Sequence, residues 1–375
     1  MIFFVLIVLS IYGSMHALVY WGISPLILHH PKGKLGIWIW MGLMTVAPVL
    51  TRVFERYGFE LVARLLAVVG FVWMGFLWLA FSLFALVGIW ELLVWILSKG
   101  FSTLSRLSVH GPLLATIGLI VVIGTGLYGF YEAAHVKVEK IQIKSSKLKD
   151  RPHPLRIVQI SDLHLDLLQC EKTLQSLLSQ IKDLQPDVLV ATGDIIDAQT
   201  HHLDTLSELW RGFSPPLGKL AVFGNHEAYV GVEQSLDFLQ KSGFTVLRNQ
   251  STVLENRIKV IGIDEDSLPL KSEEEISLLK QQQSDQFTLV LKHRPMVQPN
   301  ATGLFDLQLS GHAHGGQIFP FHLFTWMAFP MQNGLYSLPH DTNLYASRGT
   351  GTWGPPMRVL SPPEITLFEI VPKGP

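Results

Sequence analysis

Two histidines lie one residue apart in the segment LQLSGHAHGGQIFP, which runs from Leu307 to Pro320 and is rich in glycine. With this spacing, His312 and His314 could supply two imidazole nitrogens to a metal site. Histidine makes up 15 of the 375 residues, so such a pair also arises by chance in an ordinary loop. Whether the pair binds metal therefore depends on whether the rest of the chain supplies ligands of matching chemistry.

Polar clusters follow five short β-rich runs in the second half of the chain. The runs LRIVQI, DVLVAT, LAVFG, FTLVLK and LQLS lead into SDLHLD, GDIID, NHE, HRP and GHAHGG respectively. Segments with helical spacing, such as EKTLQSLLSQIKDL and VEQSLDFLQKSG, lie between them, so this region is predicted to be α/β. Sheets of this class place their sites outside the carboxyl ends of strands, and the five ends should converge on one crevice.

The residue types in these clusters suit a pair of divalent cations. Carboxylate oxygens, amide oxygens and imidazole nitrogens are ligands for Mn, Fe, Zn or Mg. Asp162 and His164 are predicted to lie at positions i and i+2 of an extended segment, where both side chains point the same way. The same spacing predicts the same arrangement for His312 and His314.

Other residues of these types lack the strand-end context. His29–His30 and His201–His202 are adjacent histidines that follow no predicted strand, and we interpret them as ordinary loop residues. The single cysteine, Cys170, excludes an intrachain disulfide and any cysteine-based metal cluster. The formal net charge of −1 indicates no class of partner, and we expect no nucleic acid among the partners.

Charged residues are unevenly distributed along the chain. Hydrophobic residues make up 48% of the sequence and charged residues 16%, which is low for a soluble protein. Only eleven of the 29 basic and 30 acidic residues fall within residues 1–134. The chain is therefore predicted to contain a transmembrane helical domain, residues 1–134, and a soluble catalytic domain, residues 135–375.

Four stretches of the first domain are long and apolar enough to span a bilayer, for which about 20 residues are needed. They are Met1–Trp21, Leu35–Leu50, Leu65–Trp90 and Leu107–Tyr131. Leu61–Leu97 could form one long helix or a tight hairpin that gives five spans. We favour one helix, because no turn signal stronger than Gly75 or Gly88 interrupts it.

The basic residues predict which side of the membrane holds the soluble domain. With four spans, nine basic residues lie on the side of both termini of the helical domain and four lie on the opposite side. The nine are Arg52, Arg56, Arg64, Lys137, Lys140, Lys144, Lys147, Lys149 and Arg151. The four are Lys32, Lys34, Lys99 and Arg106. By the positive-inside rule, we expect a multi-pass protein of the inner or plasma membrane with a cytoplasmic catalytic domain.

The polar clusters form an ordered series of motifs, Asp-x-His, Gly-Asp, Gly-Asn-His-Glu, His and Gly-His-x-His. This series resembles that of the calcineurin-like metallophosphoesterases, over roughly Ile141 to Ile370. The segments GHAHGGQI and SRGTGTWGPPMRVLSPPEITLFE resemble a membrane-associated bacterial branch of that family. The resemblance implies an α/β fold, a β-sandwich flanked by helices, which here follows a transmembrane helical domain. It also implies metal-dependent hydrolysis of a phosphoric ester or pyrophosphate.

The resemblance further implies two metal sites that share one aspartate. The first would consist of Asp162, His164, Asp194 and His314. The second would consist of Asp194, Asn225, His293 and His312. Two cations about 4 Å apart, bridged by Asp194, would activate water and bind the phosphate oxygens. We expect two divalent ions, Mn before Fe, Zn or Mg.

Several nearby residues are expected to support the reaction. In the family, the histidine after Asn225, here His226, contacts the phosphate or protonates the leaving oxygen as a general acid. A structural role in the turn is the alternative for His226. Asp197 and Glu227 are expected to orient histidine ligands rather than to bind metal. Arg358 is expected to bind a substrate phosphate, with an ordinary surface arginine as the alternative.

The segment IFPFHLFTWMAFPM, Ile318–Met331, follows the last predicted ligands and is apolar and rich in aromatic residues. It fits either the core of the fold or an exposed, lipid-facing lip beside the site. The basic run Lys137–Arg151 fits an anionic membrane surface or a solvated strand edge. Together with the membrane domain, these features indicate that the partners are the bilayer and an amphiphilic phosphate ester.

The predicted function is therefore a membrane-bound phosphohydrolase that acts on a lipid-linked phosphodiester or pyrophosphate. The best candidate substrate is UDP-2,3-diacylglucosamine, cleaved to a lipid monophosphate and UMP in lipid A synthesis, because calcineurin-like enzymes are known to catalyse this step. One alternative is a phosphodiesterase or phosphatase of other lipids or nucleotides. Another is a catalytically inert membrane receptor or scaffold, against which the complete set of ligands argues.

Overall fold

A computed structural model of the chain describes residues 2–27, 31–148, 153–166, 171–197, 203–264 and 271–373. His29–His30, His201–His202 and Cys170, interpreted above, lie outside the described residues. The chain divides into two compact units. The first contains Met1–Tyr131 and Gly354–Val359, and the second contains Glu132–Trp353 and Leu360–Pro375.

The first unit is built from long apolar helices. They are α1 (Ile2–Ile27), α2 (Pro31–Arg56), α3 (Glu60–Ser98) and α4 (Pro112–Ala134). Each of the four contains a stretch long and apolar enough to cross a membrane. The helix α3 runs for 39 residues without a break, which is the single helix that the sequence favoured over a hairpin. Gly75 and Gly88 lie within α3, where glycine is tolerated in a helix at a cost of about 1 kcal/mol each.

Two polar side chains of this unit, His16 and Glu91, form hydrogen bonds between segments of the unit. His16 is buried, and its Nε2 accepts a hydrogen bond from Trp73 Nε1 at 2.9 Å while its Nδ1 lies 2.8 Å from the Tyr12 carbonyl. Because a carbonyl can only accept, the proton of the neutral ring is on Nδ1. Glu91 accepts the backbone N–H groups of Val109 and His110 at 2.7 and 2.8 Å. These contacts stabilise helix packing and the start of α4.

The second unit alternates strands and helices, as the sequence predicted. Its strands are β1 (Lys137–Ser145), β2 (Leu155–Ile160), β3 (Val188–Thr192), β4 (Lys219–Val222), β5 (Phe244–Val246), β6 (Gln250–Leu254), β7 (Ile258–Ile263), β8 (Phe287–Lys292), β9 (Leu307–Ser310), β10 (Gly334–Leu338), β11 (Thr342–Ala346) and β12 (Glu364–Pro372). Its helices are α5 (Glu171–Asp183), α6 (Leu203–Arg211), α7 (Asn225–Val230), α8 (Val232–Lys241), α9 (Ser272–Gln281) and α10 (His322–Ala328).

Within the described residues, the strands form two six-stranded mixed sheets. The first has the order β1-β12-β2-β3-β4-β5, and the second has the order β10-β11-β9-β8-β7-β6. The strands β2, β3, β4 and β5 are parallel neighbours, and so are β7, β8, β9 and β11. Parallel neighbours end at the same edge of a sheet, which is where the polar clusters begin.

The side-chain alternation of the strands explains the layers. In β2, Leu155 and Ile157 belong to a buried cluster that also contains Leu289 of β8, so this face of the first sheet packs on the second sheet. Val158 and Ile160 belong to a separate cluster with the helices α5, α6 and α8. A third cluster packs Leu279 of α9 and neighbouring loops on the outer face of the second sheet. The predicted fold class, a β-sandwich flanked by helices, is confirmed.

Candidate metal centre

Three strands of the first sheet and two of the second lead into the predicted metal ligands. The ligands that follow β2, β3 and β4 are Asp162, His164, Asp194 and Asn225. The ligands that follow β8 and β9 are His293, His312 and His314. All seven belong to the second unit, and the structure brings both sheets' ligands to one place.

Among the described residues, three overlapping groups have potential ligand atoms within 4.8 Å of one another. The first is Asp162 with His164 and His314, the second is His164 with Asp194 and His226, and the third is Asp194 with His293 and His312. His164 and Asp194 each belong to two groups. The cluster is therefore continuous, and Asp194 lies between the two positions at which the resemblance expects metal.

At the first position, two imidazoles and a carboxylate face one another. His164 Nε2 lies 3.0 Å from His314 Nε2, and His314 Nε2 lies 3.4 Å from an Asp162 carboxylate oxygen. Asp194 Oδ2 lies 3.9 Å from His164 Nε2. The Asp162 carboxylate also accepts the backbone N–H of His312 at 2.9 and 3.0 Å, which fixes the loop that carries His312 and His314.

At the second position, the ring of His293 is oriented by the end of β3. Its Nδ1 lies 2.8 Å from the Thr192 carbonyl, which can only accept, so Nδ1 carries a proton. With a neutral ring, the lone pair of Nε2 then faces Asp194 Oδ2 at 3.1 Å and His312 Nδ1 at 3.1 Å. A cation among these three atoms would satisfy lone pairs that otherwise face one another.

The donor set fits divalent metal on a further observation. The side-chain oxygen of Asn225 is buried and has no hydrogen-bond partner in the protein. A buried amide oxygen of this kind costs free energy on the order of 1–3 kcal/mol unless it is satisfied. A cation at the second position would provide the missing partner, since amide oxygen beside carboxylate and imidazole suits Mn, Fe, Zn or Mg.

The backbone at the ligands is strained, and this corrects one sequence prediction. Asp162 and His164 have φ angles of +52° and +49°, so they do not lie on an extended segment. His312 and His314 have φ angles of +72° and +51°, and Asp194 has +53°. Left-handed backbone costs a non-glycine residue roughly 1–3 kcal/mol and is concentrated at functional sites. The ligands converge because tight left-handed turns follow the strands, and not because of strand alternation.

Gly224, which precedes the ligand Asn225, leaves the room that this convergence needs. A Cβ atom at Gly224 would lie 2.8 Å from His293 Nε2 and would also collide with the Asp194 carboxylate. Any side chain there would push two ligands apart. The glycine is thus required by the close approach of the β4 loop to the metal centre.

Glu227 fixes the same loops by accepting hydrogen bonds from their backbone, which differs from its predicted role. Its carboxylate is fully buried and accepts backbone N–H groups of Gly224 at 2.8 Å, Asp194 at 2.9 Å and Ile195 at 2.7 Å. The expectation that Glu227 orients a histidine ring is therefore wrong. It joins the turn after β3 to the turn after β4, so that Asp194 and Asn225 keep a fixed separation.

His226 is held by Asp197, as an oriented acid–base residue would be. Asp197 Oδ1 lies 2.8 Å from His226 Nδ1, and the other oxygen lies 3.8 Å from His164 Nδ1. The backbone N–H of His226 donates to Asp194 Oδ1 at 2.9 Å. Asp197 thus orients His226 and approaches His164, which agrees with the prediction that it positions histidines.

Burial sets the charge of the cluster. It lowers the pKa of His164 to about 4 and that of His312 to about 3, so both rings are neutral at pH 7 as metal ligands must be. Burial, with the charge of Asp194 adding to it, raises the pKa of Asp162 to about 6. Burial opposes ionisation of Asp194 as well, but His293 and two further histidines hold its pKa well below the usual range. Asp194 is thus the stable anion at the centre.

Three aromatic rings that the sequence analysis did not assign lie beside the histidines of the site. The ring centroids of Tyr229 and Trp353 are 5.2 and 5.8 Å from that of His226, and Phe329 is 4.9 Å from His312. Tyr229 and Trp353 are exposed although they are large and apolar. The only sequence signal for them was their place within or next to the family motifs.

Trp353 is anchored by Gln317, which follows the Gly-His-x-His motif. The Gln317 side chain donates to the Trp353 carbonyl at 3.0 Å and accepts the Trp353 N–H at 2.9 Å. Gln317 itself is buried. The exposed ring therefore stands on a fixed backbone next to His226.

Arg358 belongs to the first compact unit, whereas all seven ligands belong to the second. It lies in Gly354–Val359, which groups with the first unit, and its backbone N–H donates to the Gly129 carbonyl at 2.9 Å. Its side chain is fully buried, which excludes the alternative of an ordinary surface arginine. Phosphate binding by Arg358 stays a prediction.

Comparison with known proteins gives the class that this fold and site define. The sequence profile described as calcineurin-like phosphoesterase matches residues 155–316, which include all seven predicted ligands. An uncharacterized metallophosphoesterase of Aquifex aeolicus is 36% identical over 261 residues, which are 68% of this chain and the whole of that protein. The chain belongs to the calcineurin-like metallophosphoesterase family.

Two further relatives show where the similarity extends. The metallophosphoesterase YkuE of Bacillus subtilis is 32% identical over 258 residues, 66% of this chain and 90% of that protein. A protein of Danio rerio named a transmembrane protein with metallophosphoesterase domain is 31% identical over 266 residues, 67% of this chain. The match spans 61% of the Danio rerio protein. Membrane helices thus accompany this domain in at least one relative by its name.

Replacing Asp194 by alanine is expected to remove bound metal from both positions, because its carboxylate belongs to the ligand groups on both sides. Metal retention should fall by more than about 100-fold, since even residues that only orient ligands cost 10–100-fold. Metal content after gel filtration, measured by mass spectrometry, checks this. The matched control is His153→Ala, an exposed histidine of the same unit, which should keep its metal. Full metal occupancy in Asp194→Ala would show that the carboxylate is not shared.

Proposed function

We propose that this protein is a membrane-bound phosphohydrolase that uses two divalent ions, preferably Mn²⁺, and cleaves a lipid-linked phosphodiester or pyrophosphate. The observation that carries the proposal is the cluster at the ends of the two sheets, where one buried carboxylate, Asp194, joins two sets of histidines. Family membership supports the hydrolysis of a phosphoester. The membrane helices and the apolar surroundings of the site support the lipid.

The residues of the cluster have distinct proposed roles in metal binding. Asp162, His164 and His314 would hold one ion, Asn225, His293 and His312 the other, and Asp194 both. When bound, the two ions supply the Lewis-acid chemistry that hydrolysis of a phosphate ester requires. Glu227 keeps the Asp194 and Asn225 turns at a fixed separation through its four backbone hydrogen bonds.

His226 would move the proton at the leaving oxygen. Asp197 holds its Nδ1 at 2.8 Å, so Nε2 is the nitrogen left to serve the substrate. The same hydrogen bond stabilises the protonated ring before transfer, and the backbone bond to Asp194 keeps the ring beside the metal positions. Tyr229 and Trp353 would pack against the group attached to that oxygen and exclude water from it.

The surroundings of the site favour an amphiphilic substrate. Exposed rings of Tyr229 and Trp353 stand next to His226, and Phe329 packs on His312. The first strand of the unit that holds the site begins at Lys137, and only two residues separate it from the end of α4 at Ala134. UDP-2,3-diacylglucosamine carries acyl chains and a pyrophosphate in one molecule, so it matches both the apolar surroundings and the metal centre. We propose its hydrolysis to a lipid monophosphate and UMP, as in lipid A synthesis.

We propose that the catalytic unit faces the cytoplasm. If the four candidate helices all span the membrane, the chain returns to the side on which it starts, and nine basic residues lie on that side against four on the other. The cytoplasmic location also agrees with a substrate made from a nucleotide.

The substrate is tested with the detergent-purified chain and Mn²⁺. We expect turnover of UDP-2,3-diacylglucosamine with release of UMP, at a kcat/KM well above that for bis(p-nitrophenyl) phosphate. The acyl chains and the metal centre would both contribute to binding of the first substrate and only the metal centre to that of the second. Hydrolysis of the soluble diester alone would support the family chemistry and overturn the lipid substrate.

His226→Ala is expected to keep its metal and lose most of its rate, typically 10²–10⁴-fold for a general acid. The loss should shrink for a substrate with a p-nitrophenolate leaving group, which needs no proton. Metal content and kcat on both substrates check this, with Tyr229→Phe as a neighbouring variant that leaves His226 intact. An equal loss on both substrates would contradict the general-acid role and indicate a structural one.

The side of the membrane is tested with reporters fused after Pro375. We expect activity from a reporter that folds only in the cytoplasm and none from one that requires an oxidising exterior. Activity of the exterior reporter at this position would overturn both the cytoplasmic orientation and the proposed substrate.

A further inference from the structure

The apolar segment Ile318–Met331 lies on the surface of the second unit, where most of its large side chains are exposed. Of its residues, Ile318 is buried, but none of the seven residues of α10 is. Six large hydrophobic side chains are between 43% and 75% exposed. They are Phe319, Phe321, Leu323, Phe324, Trp326 and Met327. The alternative that this segment belongs to the core of the fold is therefore wrong for α10.

The segment is anchored from one side and is not a loose loop. The buried Gln332 donates from its side chain to the His322 carbonyl at 3.0 Å and also contacts the Thr325 hydroxyl. The backbone N–H of Phe329 donates to the Thr325 carbonyl at 2.7 Å, which closes the end of α10. An anchored backbone that exposes several aromatic side chains is typical of an interaction surface.

The chemistry of this surface matches the interfacial region of a bilayer. Residues 318–331 include no Asp, Glu, Lys or Arg. Phenylalanine, tryptophan, leucine and methionine together are the side chains that insert at the boundary between headgroups and acyl chains. The surface that binds an ordinary protein partner usually has a polar rim. In these fourteen residues the only polar side-chain groups are those of His322 and Thr325 and the indole N–H of Trp326.

The short connection between α4 and β1 also keeps the second unit close to any membrane that α4 spans. β1 begins at Lys137, so only two residues separate it from α4, and a chain of that length reaches about 10 Å at most. A unit tethered so closely to a spanning helix stays at the membrane surface. Lys137, Lys140 and Lys144 of β1 are exposed, and they complement anionic headgroups at the start of the unit.

We infer that the apolar segment inserts the side chains of Phe321, Phe324, Trp326 and Met327 into the lipid interface and so holds the catalytic unit against the bilayer. The segment starts four residues after the ligand His314, and Phe329, which follows α10, packs on His312 with ring centroids 4.9 Å apart. The membrane contact is thus joined directly to the loop that carries two ligands. This gives an acyl-linked substrate a short route from the bilayer to the metal centre.

The inference is tested by the depth of a probe on α10 in the full-length chain in nanodiscs. Met327→Cys in a Cys170→Ser background carries a fluorophore, and Glu273→Cys, on the exposed side of α9, carries the same fluorophore as the control. Nitroxide-labelled lipid should quench the Met327 probe several-fold more than the Glu273 probe, and aqueous iodide should show the opposite order. Equal access of iodide to both probes would overturn the inference, and so would protection of the Met327 probe from both quenchers, which would indicate contact with protein.

A kinetic readout separates this contact from the proposed substrate. The variant Phe321→Ser/Phe324→Ser/Trp326→Ser should raise KM several-fold for a diester presented in vesicles and leave kcat for soluble bis(p-nitrophenyl) phosphate unchanged. Equal loss on both would contradict a role in membrane contact. The quenching experiment measures position and needs no turnover, so failure of UDP-2,3-diacylglucosamine as substrate leaves its outcome intact.

Discussion

The buried carboxylate of Asp194 is the interaction on which the rest of the centre depends. One oxygen accepts the His226 N–H at 2.9 Å, and the other lies 3.1 Å from His293 Nε2 and 3.9 Å from His164 Nε2. Its negative charge favours ionisation of the surrounding histidines and disfavours ionisation of Asp162 and Glu227. Without this anion, the histidines of the two sheets would have no common partner, and the left-handed turns that carry them would have nothing to offset their strain.

The two sheets provide the rigidity that such a cluster needs. Alternate side chains of β2 and β3 pack either on the second sheet or on the helices, so each strand is fixed on both faces. Glu227 extends that rigidity into the turns, because its carboxylate joins the backbone after β3 to the backbone after β4. Burial raises the pKa of Glu227 to about 7, and the charge of Asp194 adds to this, while the amide hydrogen bonds favour the ionised form.

Much of this arrangement could be predicted, because its signals are local. Buried β-rich runs that end in Asp, Asn or His predicted the strands and the meeting of Asp162, Asp194 and His293 at one edge. The orientation of the ligands could not be predicted from the sequence. The positive φ angles at His164 and His314 belong to turns whose conformation depends on contacts between loops that are distant in sequence. The partners of Glu227 and the place of Trp353 beside His226 also required the tertiary structure. Their contacts join segments that are far apart in sequence.

The apolar segment Ile318–Met331 also shows which features could be predicted from the local sequence and which required the tertiary structure. Its composition fitted the core of the fold or an exposed lip equally well, and only the exposure of Phe324 and Trp326 decides between them. Arg358 shows the opposite case, because a residue inside a family motif groups with the long apolar helices of the first unit. The motif suggested a phosphate-binding role for Arg358, whereas the structure shows that its side chain is fully buried.

Electron paramagnetic resonance of the Mn²⁺-loaded protein measures whether the Asp194 carboxylate is shared between two metal positions. Two Mn²⁺ ions that shared Asp194 as a ligand would have coupled spins, so we expect the spectrum of an exchange-coupled pair at two equivalents of metal. A spectrum of isolated Mn²⁺ ions, unchanged between one and two equivalents, would contradict it.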